Sequence, residues 1–162
     1  MAKRIIAHVN PNMPRTHGDS FINIRDIDYA FVAKTPLITI ERKDISDTER
    51  RIGEIIASRI KDGDCLQMGI GAIPNAALSF MKDRRDLGVH TEMFSDGVLD
   101  LIEAGVITNS NKKVARGRTV TGFTMGSDRL YRFVDDNPEV TFLDIEFVNN
   151  PVVIAKNPQV TA

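Results

Sequence analysis

Up to Ile40, apolar positions come in short extended runs: Arg4 to Val9, Phe21 to Ile24 and Leu37 to Ile40. Asn10-Pro11-Asn12-Met13-Pro14 and Gly18-Asp19 interrupt them, so the region reads as strands joined by turns. The charged stretch Glu41-Arg42-Lys43-Asp44 reads as a bridge between two structural units. Beyond it the rhythm becomes helical. In Ser46-Asp47-Thr48-Glu49 the serine hydroxyl can accept the Glu49 amide while the Glu49 carboxylate answers the Ser46 amide, a reciprocal helix start. Ile52, Ile55, Ile56 and Ile60 recur at helical spacing and predict one buried face.

From residue 65 the pattern alternates. Cys65 to Met68 is a short apolar strand, Gly69 to Gly71 a turn, and Pro74 opens a helix through Ala76, Ala77, Leu78 and Phe80. Gly88 to Thr91 is a second strand, leading through Glu92-Met93-Phe94 and Ser95-Asp96-Gly97 into a helix with Val98, Leu99, Leu101 and Ile102 that Gly105 ends. Thr119 to Phe123 is a third strand, followed by Thr124-Met125-Gly126-Ser127 and a helix through Leu130, Tyr131, Phe133 and Val134. Val140 to Leu143 is a fourth, and no helix is read after the final stretch from Asn149 to Ala162. Strands separated by helices imply right-handed βαβ units, so the fold class is α/β, with a parallel or mixed sheet and helices on both faces. No internal repeat or low-complexity tract interrupts this reading.

Composition narrows the function. The 162 residues carry 21 Lys plus Arg against 22 Asp plus Glu, a net charge of −1, so no global field draws the chain to nucleic acid or an anionic membrane. With no Trp and 6% aromatics, a stacking platform for single strands is excluded as well. A lone cysteine, Cys65, cannot build an intrachain disulfide or a multi-cysteine metal site, which suits a reducing compartment and predicts a cytoplasmic protein. No apolar stretch reaches the length of a signal-peptide core or a membrane span.

Three strand ends in succession carry candidate chemistry: Gly69-Ile70-Gly71-Ala72-Ile73-Pro74, Glu92-Met93-Phe94-Ser95-Asp96-Gly97 and Thr124-Met125-Gly126-Ser127. In open α/β sheets ligands gather there, where helix N-termini offer free amides. A carboxylate at the middle end, flanked by glycine turns, would be a nucleophile or base beside amide donors. The Gly69-x-Gly71 pair does not complete a dinucleotide fingerprint, because Pro74 replaces the third glycine; Gly71 also fits a role in close packing of helix on sheet. Cys65 reads as a buried strand residue. His90 and Glu92 alternate on one strand and could share a face toward a metal, but no third ligand accompanies them. Arg84-Arg85 and Lys112-Lys113 read as solvated charges that could meet a phosphate.

The stretches from Leu66 to Ala76 (Leu66-Gln67-Met68-Gly69-Ile70-Gly71-Ala72-Ile73-Pro74-Asn75-Ala76) and from Leu87 to Gly97, containing Val89-His90-Thr91-Glu92-Met93, resemble the paired signature of the acetyl-CoA hydrolase/transferase family. Within it, the 4-hydroxybutyrate and butyrate:acetate CoA-transferases are the nearest group. Met13 to Ser20, Phe123 to Tyr131 and Val148-Asn149-Asn150-Pro151 match too, so the resemblance runs almost from end to end. It implies that Glu92 is the catalytic nucleophile of a ping-pong transfer of CoA between a short-chain acyl-CoA and a carboxylate, through a glutamyl anhydride and a glutamyl-CoA thioester. Gln67, Gly69, Ile70 and Gly71 are implied to hold the substrate carboxylate or oxyanion. No metal and no cofactor beyond coenzyme A as substrate is implied.

Family chains are longer and built of two similar α/β halves with the site between them. The resemblance therefore implies that residues 1–42 are the last strands of a first half and residues 46–162 the leading part of the nucleophile-bearing second half. The chain then resembles an internal fragment or a truncated product, and a homo-oligomer or a partner supplying the missing half is implied. Two alternatives remain open: an acyl-CoA hydrolase, if water resolves the thioester, and a catalytically inactive CoA-binding fragment.

Overall fold

The computed structural model describes residues 2–40 and 44–161. The charged bridge at 41–43 lies outside the described residues. Two parallel sheets are present. The smaller pairs β1 (Ile6–Val9) with β3 (Tyr29–Val32), with Ile6 opposite Tyr29 and Val9 opposite Val32. The larger has six strands: β2 (His17–Gly18), β4 (Cys65–Leu66), β5 (Gly88–Phe94), β6 (Thr119–Thr124), β7 (Val140–Phe142) and β8 (Val160–Thr161). Their spatial order is β2-β7-β6-β5-β4-β8, and every ladder is parallel. This is the α/β architecture expected from the alternating pattern.

In the larger sheet the crossovers from β4 to β7 are helical, as is usual for parallel pairing. α1 (Asp47–Ala57) precedes β4, α2 (Ala72–Ser79) follows it, α3 (Asp96–Glu103) follows β5 and α4 (Asp128–Val134) follows β6. Two single-turn helices, α5 (Ile145–Val148) and α6 (Pro151–Ile154), lead to β8. The expected caps form. Ser46 and Glu49 make the complete reciprocal box, with the Ser46 amide donating to Glu49 Oε2 over 2.8 Å. At the end of α3, Gly105 takes φ +72°, the Gly105 amide donates to Ile102 and the Val106 amide to Leu101, the glycine stop of a Schellman turn.

Three local expectations are corrected. Phe21 to Ile24 and Leu37 to Ile40 are not strands. The partner of β1 is Tyr29–Val32, and Asn23 instead caps a 3-10 turn over Ile24–Asp26. The Leu37–Ile40 stretch is held across the end of α4, where Ile40 N donates to Gly126 O and the Tyr131 hydroxyl to Ile38 O. On α1, Ile55 is 62% exposed while Gly53 and Ala57 are buried. A Cβ at Gly53 would sit 2.7 Å from the Ala76 carbonyl carbon, so α1 and α2 approach backbone to backbone. That contact turns the isoleucine stripe, leaving Ile52 and Ile56 to flank it. The third correction is at the end of the chain: the stretch after Asn149, which carries no helix signal, holds α6 and then β8 on the far side of β4.

The core runs from Ala57 and Ile60 through Leu66, Leu78, Val89, Phe94 and Leu99 to Leu130 and Val140. β4 to β7 follow one another in space, whereas β8 returns to the opposite side of β4. Loops leaving β4 and β5 therefore lie beside a change in strand order, the place where a crevice opens at the carboxyl ends of a parallel sheet.

Candidate active site

β4 hydrogen-bonds to β5 only through Cys65–Gly88 and Leu66–Val89, and then departs. The departing loop is held by one side chain: Thr91 Oγ1 accepts from Met68 N at 2.9 Å and lies 2.9 Å from Met68 O. The same oxygen lies 3.0 Å from Met93 O. Gln67 is half-buried, and Gly69, Ile70 and Gly71 are exposed on this loop as it enters α2. Gly71 is the N-cap at φ +120° and ψ −175°, a conformation that strains any residue with a Cβ. A Cβ there would meet nothing within 4 Å, so its backbone angle and not helix-on-sheet packing requires the glycine.

Glu92 lies within β5, whose ladder to β6 runs on both sides of it, at Thr91–Thr121 and Met93–Phe123. That register sets Gly122 opposite Glu92. A Cβ on Gly122 would come 3.1 Å from Glu92 O and 2.9 Å from Ile145 Cδ1, so the glycine lets α5 lie across the strand. α5 packs on both β5 and β6. At its end the Asn149 amide donates to Glu92 Oε2 over 2.8 Å. Among the described residues this is the carboxylate's one side-chain partner, and the group is half-buried.

Two further joints fix the strand ends. Asp96, 8% exposed at the first position of α3, accepts from Ser127 N at 2.9 Å and from Ser127 Oγ at 2.5 Å. A Cβ at Gly126 would fall 2.3 Å from Asp96 Oδ2, so this joint requires glycine. A cleft of about 420 Å³ opens over the carboxyl ends of β4, β5 and β6, lined by Ile70, Gly71, Asn75, Ser95, Asp96 and Met125 among others. Of the residues expected in the site, Ile70 and Gly71 line this cleft; Glu92, Gln67 and Gly69 do not. The loop and Glu92 are joined indirectly, through Thr91, the neighbour of Glu92 on β5.

His90 and Glu92 share the face covered by α5, but each is committed to protein: His90 Nε2 to Val148 O at 2.9 Å, Glu92 to Asn149. Among the described residues no group of three His, Cys, Asp or Glu could hold a metal ion. Burial pushes the His90 imidazole below its usual range, against the bond to Val148, and the Lys112 cation adds to the fall. Lys112 corrects the solvated reading: it is 2% exposed and donates to Val89 O and Arg118 O, both at 2.6 Å. Desolvation takes its amine down to about 8, and it takes the buried Cys65 thiol up to about 11. Arg84 is half-buried, with its guanidinium on Ile60 O and Ala57 O, so neither it nor Lys112 is free for a phosphate; Arg85 and Lys113 are exposed. Asn149, the Glu92 partner, lies 57 residues away along the chain. Its only sequence signal is the Val148-Asn149-Asn150-Pro151 match.

Superposition on solved structures defines the class as a CoA-transferase fold. The chain aligns with RipA from Yersinia pestis at a TM-score of 0.93 and 41% identity, covering 98% of this chain and 37% of that one. It aligns with a 4-hydroxybutyrate CoA-transferase from Porphyromonas gingivalis at 0.92 and 40% identity, covering 97% of this chain and 40% of that one. In sequence it is 52% identical over 156 residues to the 4-hydroxybutyrate coenzyme A transferase of Clostridium kluyveri, covering 96% of this chain and 36% of the relative. Residues 126–162 match the acetyl-CoA hydrolase/transferase C-terminal domain. The chain belongs to the acetyl-CoA hydrolase/transferase family and spans about 36% of the length of that relative. Among the described residues no helix is long and apolar enough to cross a membrane.

Proposed function

We propose that this chain carries the nucleophile of an acyl-CoA:carboxylate CoA-transferase acting on short-chain substrates of the 4-hydroxybutyrate and butyrate type, and that Glu92 is that nucleophile. The observation that carries the reading is the Glu92 carboxylate itself: half-buried on a central strand, with one oxygen held by the Asn149 amide and the other without a protein partner among the described residues. A carboxylate bound on one side is oriented while keeping a lone pair for attack.

The uncommitted oxygen attacks the thioester carbonyl; the C–S bond breaks, leaving a mixed anhydride on Glu92 and CoA as thiolate. The thiolate attacks the glutamyl carbonyl and expels the acyl group as its carboxylate, leaving CoA as a thioester on Glu92. An incoming carboxylate reverses the two steps and regenerates the side chain. Anhydride and thioester are close in energy, so neither intermediate is a deep well. Each addition makes an oxyanion that needs preorganised donors. The Asn149 amide, already in contact with the carboxylate, is one, and the exposed Gly69-Ile70-Gly71 backbone beside Gln67 is proposed as the other. On this reading residues 46–162 belong to the nucleophile-bearing half and residues 1–42 to the close of a preceding one.

The test pairs transfer with trapping. Butyryl-CoA and acetate incubated with the protein should yield acetyl-CoA, and borohydride should reduce an enzyme-CoA thioester at Glu92. Glu92→Gln should lower the transfer rate at least about a thousandfold and abolish trapping. Undiminished trapping in that variant would remove Glu92 from the mechanism. Release of free CoA without acetyl-CoA would replace the carboxylate acceptor by water.

A further inference from the structure

α5 is a single turn, too short to be stable by its own hydrogen bonds, and two of its apolar side chains lie outward, Ile145 at 43% and Phe147 at 39% exposure. Yet Asn149, the residue immediately after it, must present its amide to Glu92. Two anchors act at that end: the Val148 side chain, 1% exposed, and the Val148 carbonyl, which accepts from His90 Nε2 at 2.9 Å. That carbonyl and the Asn149 N and Cα belong to one rigid peptide plane, so holding the oxygen restrains where the Asn149 Cα sits, and the φ of −92° there sets the direction in which its side chain leaves the backbone. His90 is 1% exposed and two residues before Glu92 on the same strand face.

We propose that His90 is a positioning residue for Glu92, holding the Val148 carbonyl so that the Asn149 amide meets the Glu92 carboxylate. The inference rests on the reading of Glu92 as the reacting group. The imidazole can do this in one tautomer, because donation to a carbonyl requires the proton on Nε2. The structure agrees with that tautomer: His90 Nδ1 is buried without a partner among the described residues, where a lone pair is tolerated more readily than an unpaired N–H. Burial also favours the neutral ring. The ring further lies against Phe147 of α5, with centroids 6.4 Å apart.

The first measurement needs no variant. Nitrogen NMR of histidine-labelled protein should find His90 protonated on Nε2; protonation on Nδ1 alone would end the proposal. The second follows the Asn149 side-chain amide signal, identified by its loss in Asn149→Asp. In His90→Leu the signal should move toward its position in Glu92→Gln, and His90→Gln, which keeps a donor near the site of Nε2, should return it toward the wild-type position. An unmoved signal in folded His90→Leu overturns the proposal, whether or not Glu92 is trapped by borohydride. The third is kinetic: kcat should fall about tenfold in His90→Leu with KM little changed, and recover in His90→Gln. The double variant with Asn149→Ala should be no slower than Asn149→Ala alone, since both remove one contact. Additive losses would show that His90 acts elsewhere. Failure of Glu92 trapping in the wild type defeats the functional reading, while the two NMR results still decide what His90 holds.

Discussion

The described residues form two parallel sheets made by opposite means. In the six-stranded sheet, β5 holds Val89 and Thr91 at 0% exposure, because helices with apolar stripes cover it. In the two-stranded sheet, Val32 is 73% exposed and Ile6 66%. No α-helix follows β1 or β3 within residues 2–40 to cover that pair. Polar clasps hold it instead. Asp28 Oδ2 accepts from Ile5 N at one end; at the other, Asn10 Nδ2 donates to Thr35 O and Oγ1, Asn12 Nδ2 to Thr35 O, and His8 Nε2 meets Ala33 O. His8 also stacks on Phe31 with centroids 4.8 Å apart. Strand pairing alone does not bury a strand; within the described residues this pair is held at its ends by side-chain hydrogen bonds.

The largest test of this contrast is Phe94→Ala, which opens a cavity under the central sheet at a fully buried position. Urea denaturation should show a loss of about 3–5 kcal/mol. A loss below about 1 kcal/mol would mean that the helices do not pack the sheet as described. Gly122→Ala should follow at about 1–3 kcal/mol, because the added methyl meets the Glu92 carbonyl and Ile145. Amide exchange in α5 should quicken with it, and unchanged exchange would separate Gly122 from the seating of α5.

The buried amine and thiol beside β5 give the central sheet a pH signature. Lys112 titrates near 8 folded and near 10.5 unfolded, so the folded state holds fewer protons between those values and stability rises with pH. Cys65 titrates near 11 folded and near 9 unfolded, so above 9 the folded state holds the extra proton and the slope from Lys112 is cancelled. Urea midpoints should therefore rise from pH 8 to pH 9, by about 1 kcal/mol, and then level off. In Cys65→Ala the rise should continue toward pH 10. A flat profile across pH 8 to 9 would return Lys112 to solvent.

Smaller effects are expected in the two-stranded sheet. Asn10→Ala should cost about 1 kcal/mol and speed exchange of the β1 and β3 amides, since it removes donors to Thr35. Val32→Thr should change stability by less than about 0.5 kcal/mol. A loss equal to that from a core truncation would mean that Val32 is covered in solution, and the contrast would dissolve.

Much of the central sheet is legible in the sequence because its signals are local. The Ser46–Glu49 box, the Gly105 stop and the strand-turn-helix alternation from Cys65 to Val140 each need only a few neighbouring residues. What escapes depends on pairs distant along the chain. Ile55 is outward because Gly53 meets Ala76, and Lys112 is inward because Val89 and Arg118 offer it carbonyls. Glu92 was indicated by its motif, but the Asn149 that holds it and the His90 bond to Val148 appear only once the chain closes on itself. The fall of Phe21 to Ile24 outside any strand follows the same rule, since Tyr29–Val32 offered β1 the better-clasped partner.

Thr91 has one hydroxyl proton and two carbonyls within reach, Met68 O and Met93 O. Given to Met68, the proton clasps the glycine turn to the strand from both sides; given to Met93, it leaves the turn tethered by a single bond from Met68 N. A rotation of one O–H thus shifts one hydrogen bond between the glycine turn and the strand, without moving a backbone atom. Valine at this position would keep the shape and lose that bond, leaving the turn hinged where it is now latched.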